Sequence, residues 1–107
     1  MFEGIKDMGK LLKQAKDMKS KMKEIQAELK KLVVEGIGLQ GKVKVVLTGE
    51  LECQSVTIDP SLLSVAESKN LSRGLLDAFN EAARKSKELA TSKLSAVSSG
   101  LNLPGLD

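Results

Sequence analysis

Lys16, Lys19, Lys23 and Lys30 follow one another at steps of three, four and seven. At 100° per residue those steps keep all four ammonium groups on one flank of a helix, and no acidic residue shares that flank. With a rise of 1.5 Å per residue the row is about 21 Å long. The chemistry open to such a row is neutralisation of a polyanion, phosphate above all. Lys13 belongs to the other side, where basic residues mix with Asp17, Glu24 and Glu28, and where Glu28 and Lys31 have the spacing of an intrahelical pair. Arg84 and Lys85 form a second basic pair, with Glu81 and Glu88 close by in sequence. On composition alone, a solvated helix face is the favoured reading of the first row.

Other chemistries find little support. The 107 residues include no His and a single cysteine, Cys53, which removes the usual zinc ligand sets and any His-based triad. Ser61 and Ser64 follow Asp59 but have no base to activate them. The stretch GIGLQG, residues 36–41, matches G-x-G-x-x-G, yet it follows a helical pattern and opens a strand, the reverse of the dinucleotide-binding context. Its glycines are read as a flexible helix-to-strand link. No catalytic residue, metal, cofactor or small-molecule substrate is therefore expected, and the chain is read as no enzyme. Two Phe and no Trp or Tyr leave few platforms on which single-stranded bases stack.

A hydrophobic fraction of 41% and a charged fraction of 29% suit one globular domain. The net charge of +3 is uneven. Residues 1–31 hold nine Lys against five acids, and the remainder holds eight basic against nine acidic residues. One cysteine forms no internal disulfide, so a reducing compartment is the natural home. No apolar run reaches the length of a membrane span, and the start shows no signal-peptide core.

The elements that must position the lysines can be read from periodicity. Met8, Leu11, Ala15, Met18, Met22, Ile25, Leu29 and Leu32 alternate steps of three and four, the heptad pattern of a narrow helical seam. A confident helix spans about residues 10–33, and its seam needs a partner helix from this chain or another. KVKVVLTG and LECQSVTID read as two strands joined at Gly49-Glu50, with Val43, Val45, Leu47, Val56 and Ile58 on one face. Val33, Val34 and Glu35 have the makings of a short preceding strand. Asp59 and Pro60 read as cap and first residue of a helical turn, and Ser64 with Glu67 as a capping box opening a second helix near Val65. Leu71, Leu75, Phe79, Ala82, Ala83, Ser86, Ala90, Leu94 and Val97 give that helix an apolar stripe with small residues in it. Lys93 falls near the stripe and is expected to snorkel at a packing edge. The seam methionines and Cys53 are read as packing residues.

The segments KVKVVLTG, SVTIDPSLL and LLDAFNEAARKSKELATSKLSAVSSGLNLPG, with the basic helix before them, resemble the YbaB/EbfC family of small nucleoid-associated proteins. IDPSLL and the SGLNLPG end are the most specific parts. The resemblance implies an α+β fold in the order α-β-β-β-α: a basic heptad helix over 1–34, a three-stranded antiparallel sheet over 35–59, a C-terminal helical region over 64–98 and an irregular tail over 99–107. It also implies a homodimer whose helices project as arms that bind duplex DNA, in the cytoplasm and at the nucleoid. Under this reading Lys16, Lys19, Lys23 and Lys30 contact phosphates, with Lys13, Arg84 and Lys85 as further candidates. Val43, Val45, Leu47, Val56, Ile58, Leu75, Phe79 and Ala83 then serve core or dimer packing. The other reading is a protein-interaction module that docks partner helices through the heptad seam. A membrane-surface helix fits less well, because acids interrupt the basic face and the seam lacks Trp.

Overall fold

The computed structural model describes the backbone of residues 2–101 and the side chains of residues 8–96. The element order is α1 (Phe2–Lys31), β1 (Val33–Gly38), β2 (Val43–Thr48), β3 (Cys53–Ile58) and α2 (Ser68–Leu101), with short 3-10 turns at Leu39–Gly41, Pro60–Leu62 and Val65–Glu67. The sheet is antiparallel throughout, in the order β1-β2-β3.

The core forms because the sheet and α2 each offer one apolar surface. Val43, Val45 and Leu47 alternate along β2 and are fully buried beneath Ala78 and Ala82 of α2, with Leu62 closing one end. Ile58, Leu71, Leu75 and Ala83 pack around this cluster and remain partly buried. Helix α2 lies mainly over β1 and β2. Val56 of β3 and Phe79 of α2 are consequently left 49% and 46% exposed.

The glycines of GIGLQG are not a flexible link. Residue Leu32 alone separates α1 from β1, and β1 extends beyond Val33–Glu35 through Gly38. Gly36 and Gly38 are buried within it. A Cβ on Gly36 would sit inside the carbonyl of Ala78 and 2.6 Å from the Ala82 nitrogen, and one on Gly38 would overlap the Gly74 carbonyl. The two glycines let strand and helix backbones touch, a function that requires small residues on both sides. The β1–β2 connection then turns through three successive left-handed residues, Leu39, Gln40 and Gly41.

Both boundaries of α2 differ from the sequence reading. Helix α2 begins at Ser68, after the 3-10 turn Val65–Glu67, because Ser64 caps no amide with its side chain. Glu67 does not complete a capping box; its carboxylate accepts instead from the Asn70 side-chain amide at 2.8 Å. At the other end α2 continues to Leu101, past the start of the expected tail; residues 102–107 lie outside the described residues. The turn at Pro60 is built as read. The Asp59 carboxylate accepts from the Ser61 amide at 2.9 Å, and that backbone bond is the main reason its carboxyl titrates below the ordinary 3.8. Because the folded value is the lower one, the Asp59 contribution is present above the ordinary carboxylate range and is lost as pH falls through the folded value.

Candidate nucleic-acid interface

The arm is set by its base. The radius of gyration is 21.0 Å, against about 13 Å for a compact domain of this size. The molecule measures 76 × 24 × 16 Å. The two long helices underlie this extension: the 30 residues of α1 span about 45 Å and the 34 residues of α2 about 51 Å. Ile25 and Leu29 are the buried seam residues of α1 among those described, and they pack at the end nearest the sheet. Further out, Leu11 is 62% exposed. The heptad seam is therefore matched by α2 of the same chain over its last turns and is bare beyond them.

Three contacts fix the direction in which the arm leaves the body. The Gly49 amide, in the β2–β3 turn, donates to the carbonyls of both Leu29 and Leu32, at 2.9 and 3.0 Å. The Leu29 carbonyl belongs to the last turn of α1 and has no partner inside the helix, and Leu32 is the residue that follows α1. Gly49 also packs directly against Leu29, leaving no room for a Cβ. The turn itself is held by Thr48, whose hydroxyl oxygen accepts from the Glu50 and Glu52 amides, both at 3.2 Å. The fully buried Ser86 of α2 donates its hydroxyl to the Thr48 carbonyl at 2.9 Å. Ser86→Ala removes this donor, and the resulting loss is expected at about 1–3 kcal/mol in denaturant unfolding.

Glu28 and Lys93 join the two helices by an ion pair of 3.3 Å. The structure thus corrects two expectations. Lys93 reaches a carboxylate of α1 instead of snorkelling freely, and Glu28 turns to α2 and not to Lys31. The pair is exposed on both sides and contributes little by itself; its value is in marking where the helices run side by side.

Lys16, Lys19, Lys23 and Lys30 are all exposed on α1. None takes part in an ion pair among the described residues. Lys13 is exposed as well, on the side of α1 that also carries Asp17 and Glu24. The second basic pair divides. Lys85 is committed to Glu81 at 3.1 Å and to the Glu35 carbonyl at 2.9 Å, whereas Arg84 is exposed and unpaired among the described residues. Glu35 in turn pairs with Lys44 at 3.0 Å across β1 and β2. No group of three or more His, Cys, Asp or Glu side chains among the described residues is placed to hold a metal ion. No helix among them is long and apolar enough to cross a membrane.

Sequence reasoning recognised Gly49 only as a turn residue and Ser86 only as a small residue in the stripe. Their part in anchoring the arm depends on partners more than 15 positions away, so no local pattern reveals it. Gly9, by contrast, sits in the arm with open space around its Cβ position. Gly9→Ala is expected to stiffen α1 and add about 0.5–1 kcal/mol of helix stability, readable as increased helical circular dichroism.

A three-stranded sheet with one backing helix and a second helix projecting as an exposed, lysine-bearing arm defines a small α+β class. The chain belongs to the YbaB/EbfC DNA-binding family, which matches residues 4–101. A nucleoid-associated protein of Afipia carboxidovorans is 40% identical over 96 residues, which cover 90% of this chain and 91% of that one. The crystal structure of the uncharacterized protein HP0035 from Helicobacter pylori has the same fold, with a TM-score of 0.68 at 24% identity over 83% of this chain and 90% of that one.

Proposed function

We propose that the protein is a homodimeric, nucleoid-associated binder of duplex DNA acting in the cytoplasm, without enzymatic activity. The observation that carries this reading is the acid-free row Lys16, Lys19, Lys23 and Lys30 on an arm that projects into solvent. Family membership supports it, as does the name of the Afipia relative. Contact is made to phosphates, which give affinity and register but no base discrimination. Any preference among sequences then arises through DNA shape. Lys13 and Arg84 are auxiliary contacts in this proposal; Lys85 contributes less, because two of its donors are engaged.

The test is a duplex gel shift over a salt series from about 50 to 300 mM. A dimer that neutralises about six phosphates gives a log K against log salt slope near −5. Absence of binding at the lowest salt would remove the proposal. A second reading, docking of a partner helix along the arm, is favoured by the bare outer seam at Met8 and Leu11. Such docking is insensitive to salt, so the same series separates the two.

A further inference from the structure

The two long helices run antiparallel and overlap over only part of their length. Ser86 of α2 bonds the Thr48 carbonyl beside the end of α1, and Lys93, further along α2, meets Glu28, earlier in α1. Laid end to end the helices would measure about 96 Å, whereas the molecule is 76 Å long. They therefore lie side by side for about 20 Å, roughly thirteen residues, which brings Leu101 level with Met18. Burial along the seam falls off as this overlap requires. Ile25 and Leu29 are buried, Met22 and Met18 are half-buried, and Ala15, Leu11 and Met8 are exposed.

We propose that residues 102–107 lie along the outer seam of α1 of the same chain, as an extended strap over Met8, Leu11 and Ala15. The segment begins where α2 ends, and its sequence is NLPGLD. Pro104 cannot continue the helix and turns Leu103 to extended backbone. In the three-residue-per-turn conformation that proline favours, rising about 3.1 Å per residue, Leu103 and Leu106 share one face about 9 Å apart. From a start level with Met18, Leu103 falls opposite Ala15 and Leu106 opposite Met8, positions about 10 Å apart on α1. Ala15 is the smallest residue of the seam and leaves space for a leucine. Asp107 then comes within reach of Lys10, in the basic half of the chain.

A strap from the same chain starts beside the seam, whereas a partner helix or the tail of a second copy must reach it by diffusion. The strap also steadies the arm. Beyond the overlap, about sixteen residues of α1 stand alone, close to the length at which an isolated helix is only marginally formed. Lys16, Lys19 and Lys23 each follow a seam residue and stand beside the seam. The strap therefore leaves the lysine row open to phosphate while it closes the surface along which a partner helix would dock.

Hydrogen exchange read by mass spectrometry compares the full chain with one ending at Leu101. Local opening of the arm sets the exchange rate of its amides. The expected result is exchange at least about tenfold faster over residues 8–18 of the shortened chain, with the β2 amides unchanged. Equal rates over residues 8–18 in a folded shortened chain overturn the strap. A second variant carries Ala15→Cys and Leu103→Cys together with Cys53→Ser, since Cys53 is exposed. Mild oxidation should close a disulfide within one chain, read as a faster-migrating monomer band on a non-reducing gel. A disulfide between two chains gives the seam to the tail of a second copy and overturns the strap within the chain. Absence of any disulfide overturns it as well. If the shortened chain does not fold, the cysteine variant decides.

Discussion

Replacing Lys16, Lys19, Lys23 and Lys30 by Glu is expected to abolish duplex binding while the chain stays folded and keeps its oligomeric state. The four positions are exposed and are free of ion pairs among the described residues, so nothing in the fold depends on their charge. In the proposed phosphate contact, by contrast, the binding free energy depends on little else. Each phosphate neutralised releases condensed counterion, and a slope near −5 corresponds to roughly a thousandfold affinity change between 50 and 200 mM salt. The substitution changes the charge by eight per chain and turns attraction into repulsion, so at low salt a loss of more than about a hundredfold is expected. Fluorescence anisotropy with a labelled duplex gives the number, and thermal unfolding checks the fold. Retention of wild-type affinity would move the contact away from this face of α1.

The second large effect concerns the strand that backs onto α2. Gly36→Ala adds a methyl group where the Ala78 carbonyl already stands, with the Ala82 nitrogen 2.6 Å away. The obstructing atoms are backbone and have no alternative rotamer to adopt. Strand and helix must separate, and the fully buried cluster of Val43, Val45 and Leu47 beneath the helix loosens with them. Destabilisation of about 3 kcal/mol or more is expected, the upper end of the range for an overfilled core. Chemical denaturation measures it, with Gly9→Ala as the matched control in open space. A loss below about 1 kcal/mol would show that the helix moves aside freely.

Much of the architecture could be read directly from the residues. The alternation of Val43, Val45 and Leu47 marked the buried face of β2, and the steps from Met8 to Leu32 marked a long helix. Both signals are local and periodic. Gly36 and Gly38 were misread for a physical reason: glycine in a link and glycine at a backbone crossing look alike until the opposing Ala78 and Gly74 are known. The same limit applied to Lys93 and Glu28, whose pairing spans two helices. The lysine row was legible because helical spacing alone puts its members on one flank. That Lys85 is engaged by Glu35, fifty positions away, was not legible.

One peptide group connects the body to the reach of the molecule. The Gly49 amide holds the last turn of α1, and Ser86 holds the turn that carries Gly49. The helix acts as a lever pivoted at that end. Over about 45 Å, a tilt of about 5° at the pivot displaces the far end by about 4 Å. A change that relaxes the pivot, Ser86→Ala included, should therefore displace the far end of α1 far more than it alters the body. In the proposed dimer, the width of object that the two arms embrace is thus tuned from inside the fold, at a turn remote in sequence from the lysine row.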